Sequence, residues 1–274
     1  YSPLVSRMTK TNNSEITHSD GRFVITDLNT AELIKHASNS FLAMKISFIN
    51  CVADICDQVG ADVVKVAEGM GLDPRIGSSF LNAGIGFGGY CLPKDIKAFA
   101  KIGEDLGVDM AIFRAVSSIN EQRQQKVINK LKRSLEVLSG KTVAVWGLSF
   151  KPETDDIRES PSIFLIQALA SECMRVRLHD PAALDSFAEI IPGEIAKIEY
   201  CETPEEAAFG ADAIIVATDW DHYAQVDLVP IRESMSYPLL IDGRNYLDPD
   251  LVVKAGFIYE GMGRPSRSIE TEKI

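Results

Sequence analysis

The segment TVAVWGLSFK at residues 142–151 decides the fold of the second half of the chain. It is an apolar run that ends at Gly147, and it predicts a buried strand followed by a turn. From here on, short apolar runs alternate with helical stretches, which is typical of a parallel sheet covered by helices on both faces. We predict strands over residues 142–147, 175–179, 196–200, 213–218, 238–241 and 257–259.

The first half of the chain has helical periodicity only. A helix is predicted from Thr30, as its N-cap, to Gly60, and it is apolar on most sides. Such a helix must be buried on most sides, so we expect it to be central and to face a partner chain. Further helices are predicted over residues 62–70, 93–106 and 109–138. The predicted fold class is therefore α/β, with an all-helical part followed by a parallel-sheet part.

Composition places the chain among globular proteins. Of its 274 residues, 46% are hydrophobic and 24% are charged, a balance that excludes a disordered chain. The formal net charge of −11 argues against a nucleic-acid or anionic-membrane partner. No unbroken apolar run approaches the roughly 18 residues of a membrane span. Five scattered cysteines without a CxxC pair indicate free thiols in a reducing compartment, with neither a disulfide framework nor a zinc site.

Cys91 differs from the other cysteines in its position. It follows the glycine-rich stretch GIGFGG at residues 84–89, which cannot form a helix or a good strand, and it precedes a helix. The unpaired N–H groups of a helix N-terminus, with Lys94 close by, favour a thiolate there. Local chemistry favours two interpretations of Cys91 equally. It is a covalent nucleophile, or it is a small buried hydrophobic residue, as we expect of the other four cysteines.

Three polar residues could complete a site around Cys91. Lys35 and Asn39 lie four residues apart, so they share one face of the long helix. Either they line a polar cleft, or Lys35 simply extends its charge to solvent. Asp95, one turn beyond Cys91, is either a base that positions water or a carboxylate that stabilises the start of the helix.

The carboxyl edge of the predicted sheet carries basic residues. Lys151 follows the first strand and Arg244 follows a later one, and the next helix starts with Ser160 as its cap. This arrangement suits a phosphate, although solvated surface charge accounts for the same residues. For Arg158, which has acidic neighbours, an ordinary ion pair is favoured. The turn after the first strand lacks GxGxxG, so this half of the chain does not predict an NAD site.

Five sets of motifs together resemble the UDP-glucose/GDP-mannose dehydrogenase family. The resemblance runs in family order from about residue 27 to residue 265, and it is closest to bacterial members that act on UDP-glucose. It implies that the parent protein oxidises UDP-glucose to UDP-glucuronate in two steps with NAD as cofactor, and that the reducing compartment is the cytoplasm. The motifs are GFGGYCLPKD at 86–95, AELIK at 31–35 with Asn39, FLNAG at 80–84, GLSFK at 147–151 with RES at 158–160, and DGR at 242–244.

The resemblance also implies a domain organisation. Residues 1–26 would be the remnant of an N-terminal NAD-binding domain, and their composition lacks the basic-then-apolar order of a signal peptide. Residues 27–140 would be a central helical domain with the catalytic cysteine loop, 141–265 a Rossmann-like UDP-binding domain, and 266–274 a mobile tail. The fragment alone should not turn over. The expected partners are a UDP-sugar and a second copy of the chain, a homodimer through the central helix, with no nucleic acid and no membrane.

The catalytic roles follow from the resemblance alone. Cys91 would attack the C6 aldehyde to give a thiohemiacetal, which is oxidised to a thioester and then hydrolysed. Lys35 and Asn39 would stabilise oxyanions at that carbon, and Asp95 would position or activate water.

Substrate and cofactor residues are implied in the same way. Arg75 would enter the partner subunit's site, and Lys94 and Arg158 would reach toward NAD. Two departures from the family pattern, Tyr90 where many relatives have serine and Cys51 where many have glutamate, leave the preferred sugar less defined. The substrate-binding residues implied within the chain are Phe80, Leu81, Asn82, Ala83, Gly84, Phe87, Gly88, Phe150, Lys151 and Arg244.

Three other functions stay open from the sequence. The same chemistry could act on GDP-mannose or on a UDP-N-acetylhexosamine. The chain could instead be a non-catalytic module for nucleotide-sugar binding or dimerisation. A thiol-dependent acyl-transfer enzyme without NAD is the third, and it would need a Cys/His pair that none of the four histidines evidently supplies.

Overall fold

The computed structural model describes residues 24–172, 174–191 and 198–269. The interpretation of residues 1–26 as a domain remnant falls almost entirely outside the described residues. The same holds for the prediction about Cys173 and for most of the predicted tail at 266–274.

The first half of the described chain is helical, as predicted. Its helices are α1 (Leu28–Val59), α2 (Val63–Gly71), α3 (Cys91–Asp105), α4 (Ala111–Glu121) and α5 (Arg123–Leu135). The long helix α1 packs along both α3 and α4. It is therefore the centre of the helical part.

The start of α1 corrects the predicted cap. Asp27, not Thr30, is the N-cap, and its carboxylate accepts hydrogen bonds from the Thr30 N–H (2.9 Å) and hydroxyl (2.7 Å). An aspartate here satisfies an N–H that the first helical turn leaves unpaired. Gly60 ends the helix as predicted, with a φ of 72° that suits glycine.

Within one chain, α1 is buried on one side only, and the further burial that the sequence analysis expects against a partner chain stays a prediction. On the buried side, Ala43 packs with residues of α3 and α4. On the opposite side, apolar side chains recur every seven residues and none of the described elements covers them. They are Ile34, Phe41, Phe48 and Ile55, with exposed fractions of 47, 56, 52 and 61%.

The length and hydropathy of α1 would also allow it to cross a membrane, since an 18-residue window has a mean hydropathy of 1.2. Core helices of soluble proteins pass the same test, and α1 packs against two other helices. The sequence prediction considered unbroken apolar runs only and did not identify this window.

The predicted helix over residues 109–138 is wrong as one element: it is two helices, α4 and α5, because the helical ladder is interrupted at Gln122. The residues that flank the interruption both bond to the glycine-rich stretch. Asn120 pairs with the backbone of Phe87 through its amide oxygen (2.8 Å) and nitrogen (3.0 Å), and Arg123 Nε donates to the Gly84 carbonyl (3.0 Å). The interruption thus falls where the helices hold a distant loop.

The second half of the described chain is a six-stranded, fully parallel sheet in the order β3-β2-β1-β4-β5-β6, which confirms the predicted fold class. The strands are β1 (Thr142–Trp146), β2 (Arg175–His179), β3 (Ile198–Tyr200), β4 (Ala213–Val216), β5 (Leu239–Asp242) and β6 (Ile258–Gly261). All six strands lie at or near their predicted positions, although residues 196–197 of one prediction lie outside the described residues.

Helices connect the strands on both faces of the sheet. The helices of this second half are α6 (Pro161–Ser171), α7 (Leu184–Ile190), α8 (Pro204–Ala208), α9 (Asp221–Gln225), α10 (Leu228–Ser234) and α11 (Pro249–Lys254). Ser160 caps α6 with its side chain, and Pro161 is the first helical residue, as predicted.

Alternate side chains of each strand form a core on each face of the sheet. Val143 and Val145 belong to one core, and Ala144 and Trp146 belong to the other. Val127 of α5 packs in the first of these cores. Because α5 packs on the sheet, it connects the helical part of the chain to the sheet. The predicted domain boundary between residues 140 and 141 stays a prediction.

Candidate functional site

The glycine-rich stretch at residues 84–89 lies on the carboxyl edge of the sheet. The Ile85 N–H donates to the Gly243 carbonyl (2.9 Å), immediately after β5. From the helical side, Arg123 and Asn50 bond the carbonyl and the N–H of Gly84. Because these backbone groups are satisfied by side chains and by the sheet edge, the stretch is held in place without being a helix or a strand.

Gly88 allows the glycine-rich stretch to touch the loop between β1 and α6. A Cβ atom at Gly88 would overlap the carbonyl oxygen of Glu159 and the ring of Pro161. The next residue, Gly89, donates its N–H to the Arg158 carbonyl (2.9 Å). Only glycine leaves room for this approach, so the two loops form one wall.

Cys91 is the first residue of α3, and its side chain is exposed and free. The preceding residue, Tyr90, makes no side-chain capping bond, so it leaves the first N–H groups of α3 available. The position matches the prediction, and the alternative of a buried hydrophobe is excluded for this cysteine. Cys56 and Cys201 are buried as expected, whereas Cys51 is half-buried.

The carboxylate of Asp95 is 1% exposed and faces polar side chains of α1. Asn39 Nδ2 donates to Asp95 Oδ2 at 2.5 Å, and Lys35 Nζ lies 3.9 Å from the same oxygen. A buried carboxylate needs partners of this kind. These contacts cross from α3 to α1, and Asp95 lies beyond the first turn of α3, so the alternative of a carboxylate that stabilises the helix start is wrong. The Lys35 side chain is 64% exposed, so its ammonium also reaches solvent at the rim of the cluster.

His36 completes this cluster, and sequence reasoning did not identify it. Its Nδ1 lies 3.6 Å from Asp95 Oδ1, which is too long for a hydrogen bond. That buried nitrogen has no hydrogen-bond partner among the residues that the structure describes. The signal was present in the sequence, because His36 lies three residues before Asn39 and therefore on the same helical face.

A cavity of about 690 Å³ lies between α2, the segment 78–88 and the carboxyl edge of the sheet. This volume is within the range of small-molecule sites. Gly88 and Leu92, which flank Cys91 in sequence, both line it, whereas Cys91 itself is not among the lining residues. Among its lining residues are all the substrate residues predicted within the chain: Phe80, Leu81, Asn82, Ala83, Gly84, Phe87, Gly88, Phe150, Lys151 and Arg244.

Arg244 is a half-buried clamp rather than a solvated surface charge. Its Nε donates to the Ala217 carbonyl (2.7 Å) and its Nη1 donates to the Gly86 carbonyl (2.7 Å). Burial lowers the pKa of the guanidinium, an effect that the charge of Asp219 opposes. Its buried Nη2 has no partner among the described residues, although Arg244 lines the cavity. A buried donor without a partner costs free energy unless a ligand satisfies it.

The same cavity contains residues that the sequence analysis missed. Asp219 follows β4, and Asn245 and Tyr246 follow Arg244, and all three line the cavity. The signal was their position after a strand, at the edge where parallel sheets bind ligands. Lys151, which was predicted, lines the cavity with its Nζ 5.3 Å from the centre of the Phe150 ring.

The turn after β1 is occupied by the chain's own carboxylate. Asp180 Oδ2 accepts hydrogen bonds from the N–H groups of Leu148 (2.7 Å) and Ser149 (3.1 Å) and from Trp220 Nε1 (3.2 Å). In a dinucleotide-binding fold these turn amides would face a phosphate. Their occupation gives a structural reason, besides the absent GxGxxG, why this half does not offer a dinucleotide site.

The basic residues predicted to meet NAD or the partner's site lie outside the cavity of their own chain. Arg158 makes the ordinary ion pair, with Nε 3.0 Å and Nη2 2.7 Å from the two carboxylate oxygens of Asp156. This guanidinium lowers the pKa of the Asp156 carboxyl. Arg75 is held in the same way by Asp73 and does not line the cavity of its own chain. Lys94 lies beside Tyr90, next to Cys91.

No cluster of three or more His, Cys, Asp or Glu side chains that could hold a metal ion occurs within residues 24–172, 174–191 and 198–269.

Comparison with known families identifies both halves of the chain. The central-domain model of the UDP-glucose/GDP-mannose dehydrogenase family matches residues 29–122. The UDP binding domain model of the same family matches residues 144–249. Together the two matches cover well over half of the chain.

Bacterial relatives agree with these matches. The chain is 45% identical over 249 residues to the UDP-glucose 6-dehydrogenase YwqF of Bacillus subtilis, covering 89% of the chain and 56% of that protein. It is 43% identical over 247 residues to the UDP-glucose 6-dehydrogenase of Pseudomonas aeruginosa, covering 89% and 54%. The chain therefore spans about half the length of the curated relatives it matches.

Solved structures of related proteins have the same fold. A UDP-glucose dehydrogenase from Pyrobaculum islandicum superposes with a TM-score of 0.77 at 38% identity, covering 86% of this chain and 51% of that one. The UDP-D-ManNAc dehydrogenase of Pyrococcus horikoshii gives a TM-score of 0.75 at 30% identity, covering 89% and 54%.

Proposed function

Because the chain belongs to the UDP-glucose/GDP-mannose dehydrogenase family, we propose that it is the central and sugar-nucleotide-binding part of an NAD-dependent UDP-glucose 6-dehydrogenase. The parent enzyme then converts the C6 alcohol of UDP-glucose to the carboxylate of UDP-glucuronate. The observation that carries this proposal is the cavity of about 690 Å³, lined by the predicted substrate residues and by Gly88 and Leu92 on either side in sequence of the exposed Cys91 at a helix start.

The proposed chemistry uses Cys91 as a covalent nucleophile. The first oxidation removes a hydride and a proton from the C6 alcohol and leaves an aldehyde. The thiolate of Cys91 adds to that aldehyde to give a thiohemiacetal, and loss of a second hydride leaves a thioester. Water then hydrolyses the thioester, releasing the carboxylate and the free thiol. NAD supplies the oxidising power by accepting one hydride in each oxidation.

The cluster around Asp95 supports this chemistry. We assign Lys35 and Asn39 to the oxyanion that forms when a nucleophile adds at C6, because an ammonium and an amide are both donors. Asp95 holds Asn39 at 2.5 Å and lies one helical turn from Cys91, where it can orient the hydrolytic water.

The sugar nucleotide is proposed to fill the cavity with its diphosphate at Lys151 and Arg244. The support for Arg244 is its buried Nη2, which finds no partner among the described residues. An anionic oxygen would satisfy that donor and compensate the buried charge.

The residues described here fit NAD only in part. Asp180 occupies the turn after β1, so the sheet does not offer a dinucleotide site. Lys94 and Arg158 are exposed beside Cys91 and are the cations that could meet an anionic cofactor. We therefore place most of the NAD site on a part of the parent enzyme outside this chain, as the family resemblance implies.

We further propose a cytoplasmic homodimer formed through α1. The exposed apolar side chains at seven-residue intervals on that helix support this assembly. In the dimer, Arg75 would enter the cavity of the partner subunit.

Calorimetry of this chain with UDP, GDP and NAD tests the binding part of the proposal. We expect UDP to bind, GDP to bind more weakly and NAD to give almost no heat. Tight binding of NAD to this chain would contradict the domain assignment.

Activity of the full-length protein tests the chemistry. We expect two NADH for each UDP-glucose consumed, and none from the Cys91→Ser variant. Cys51→Ser is the matched control, since Cys51 has no assigned role, and it should keep activity. Unchanged NADH production in Cys91→Ser would favour the non-catalytic module instead.

A second candidate is the same reaction on a UDP-N-acetylhexosamine, which the similarity to the UDP-D-ManNAc dehydrogenase of Pyrococcus horikoshii favours. Assay of the full-length enzyme with UDP-glucose, GDP-mannose and the UDP-N-acetylhexosamines, each at the same concentration, distinguishes the candidates by the ratio of kcat/KM.

A further inference from the structure

Tyr90 precedes Cys91 and is 49% exposed, and two cations lie on its ring. Lys94 Nζ is 4.6 Å from the ring centre, and the Arg158 guanidinium carbon is 4.8 Å from it. Both distances are within the range of cation–π attraction. One side chain thus contacts two cations from different parts of the chain at the entrance to α3.

Arg158 is fixed at both of its ends. Its backbone carbonyl accepts the Gly89 N–H (2.9 Å), and its guanidinium is held by both carboxylate oxygens of Asp156. Asp156 offsets the charge of Arg158, so Lys94 can lie on the same ring without strong repulsion. The group formed by Lys94, Arg158 and Asp156 keeps one net positive charge, next to the positive end of the α3 dipole.

The cations held on the Tyr90 ring lie beside Cys91 in the structure but do not line the cavity. Within the described chain, neither Tyr90 nor Lys94 nor Arg158 is among the residues that line the substrate cavity. A second such group, Lys151 on the Phe150 ring, does line it. The two ring-held groups therefore serve different places: one lies inside the cavity and the other outside it.

We propose that Tyr90 is a positioning residue whose ring gathers Lys94 and Arg158 into one anion-attracting patch outside the cavity, beside Cys91. Its ligand class is a phosphate ester, such as the diphosphate of a dinucleotide, that approaches Cys91 from outside the cavity. This assignment of the ligand rests on the proposed function, whereas the gathering of charge beside Cys91 does not. Serine, the residue that many relatives have here, has no ring face to do this.

The charge can be measured on this chain without substrate. Iodoacetate carries a negative charge and iodoacetamide does not, so the ratio of their rates with Cys91 reports the local positive potential. The rates are followed by mass spectrometry of the peptide that contains Cys91. A change that only exposes or hides the thiol moves both rates together and leaves the ratio unchanged.

We expect Tyr90→Leu to lower the iodoacetate-to-iodoacetamide ratio several-fold, because leucine has similar bulk and no π face. Tyr90→Phe keeps the ring and should keep the ratio. Phe209→Leu changes a 66% exposed aromatic residue that precedes β4, at the opposite edge of the sheet, and it should also have no effect. The proposal would be overturned if Tyr90→Leu leaves the ratio unchanged. It would also be overturned if Tyr90→Phe lowers the ratio as much as Tyr90→Leu does.

The full-length enzyme tests the ligand. We expect Tyr90→Leu to raise the KM for NAD several-fold with little change in the KM for UDP-glucose, and Tyr90→Phe to restore it. An unchanged KM for NAD overturns the assignment of the patch to a dinucleotide. If the full-length protein does not oxidise UDP-glucose at all, the proposed function fails, and the alkylation ratio still decides the role of Tyr90.

Discussion

The hydrogen bond from Asn39 to the buried carboxylate of Asp95 should contribute strongly to the stability of the chain. Among the described residues, its buried carboxylate accepts one hydrogen bond, from Asn39, while Lys35 Nζ and His36 Nδ1 lie 3.9 and 3.6 Å from its oxygens. Hydrogen bonds to charged groups contribute more to stability than neutral ones. Asn39 therefore has a structural role in addition to its proposed catalytic one.

We expect Asn39→Ala to lower the free energy of unfolding of this chain by about 2 kcal/mol, because the buried Asp95 loses its close donor. Urea unfolding measures the change. Asn129→Ala removes an exposed asparagine of α5 and is the control, expected to change the value by less than about 0.5 kcal/mol. Equal effects of the two variants would contradict this account of the cluster.

His179, at the end of β2, should make stability depend on pH. Burial, together with the smaller effect of the charge of His222, lowers its pKa from 6.5 to about 4, against the raising effects of Asp180 and Glu205. Between these pH values the unfolded chain binds a proton that the folded chain does not. The free energy of unfolding therefore falls as the pH falls from 6.5 toward 4.

The slope from this one group is at most about 1.4 kcal/mol per pH unit. Urea unfolding of wild type and His179→Asn across this range measures it, and we expect a shallower slope in the variant even if its stability is lower throughout. His222→Asn, an exposed change, should keep most of the slope. A slope in His179→Asn that matches the wild type would exclude His179 as its source.

At the level of elements, the contact between the glycine-rich stretch and the loop after β1 depends on the missing side chain at Gly88. A Cβ there overlaps backbone, which cannot rotate away. We expect Gly88→Ala to lower the free energy of unfolding by about 1–3 kcal/mol and to weaken UDP binding by at least tenfold.

Gly69 of α2 is the matched control for Gly88. A Cβ at Gly69 meets no atom within 4 Å, and alanine is the better helix former, so Gly69→Ala should be neutral or stabilising. Thermal unfolding and UDP calorimetry of both variants make the comparison. A Gly88→Ala protein with unchanged UDP affinity would show that the two loops do not need this approach.

The turn after β1 is an element whose N–H groups are satisfied by Asp180. Asp180→Ala leaves the buried N–H groups of Leu148 and Ser149 without a partner, so we expect a loss of about 3 kcal/mol or more in the free energy of unfolding. Acetate should restore part of this loss relative to chloride at the same ionic strength, since a carboxylate can enter the vacated turn.

Asp185→Ala is the control for Asp180. Asp185 is exposed in the first turn of α7, and its removal should cost less than about 1 kcal/mol with no response to acetate. Chemical denaturation in acetate and in chloride measures the free energy of unfolding of both variants. If acetate stabilises wild type and Asp180→Ala equally, the turn is not an anion site in the variant.

For the whole molecule, the exposed face of α1 is the main feature that one chain leaves incomplete. Its apolar side chains recur every seven residues, a spacing that forms one stripe along a helix. Two copies of this helix could cover each other along much of its length. The stripe therefore supports the proposed dimer, because none of the described residues of the same chain covers it.

We expect Phe41→Glu with Phe48→Glu to convert the dimer to a monomer, because two charges in the stripe would be buried without partners. Sedimentation velocity over a range of concentrations measures the assembly. Phe209→Glu, which changes an equally exposed aromatic residue outside α1, should remain dimeric. A dimer that survives the double change would place the interface elsewhere.

The two halves of the described chain are also tied by buried charge. Lys130 of α5 is 5% exposed and lies 3.1 Å from Asp57 of α1 and 3.4 Å from Glu260 of β6. A buried lysine must be paired. Together with the packing of α5 on the sheet, this makes the helical and sheet parts interdependent across the whole molecule.

The sequence by itself determined the fold class, all six strands and the position of Cys91 at a helix start. These features depend on residues close together in the chain: an apolar run of five residues, a glycine after it, or a proline at a first turn. The family motifs likewise pointed to about half of the residues that line the cavity.

Only the tertiary structure showed that Asp95 is buried among Lys35, His36 and Asn39, that Arg244 is a clamp and that Asp180 occupies the turn after β1. It also showed the interruption at Gln122 and the one-sided burial of α1. In each case the deciding contact, or its absence, joins positions far apart in the chain. Burial, and with it the energetic value of a charge or a hydrogen bond, depends on such distant neighbours, and local periodicity does not contain them.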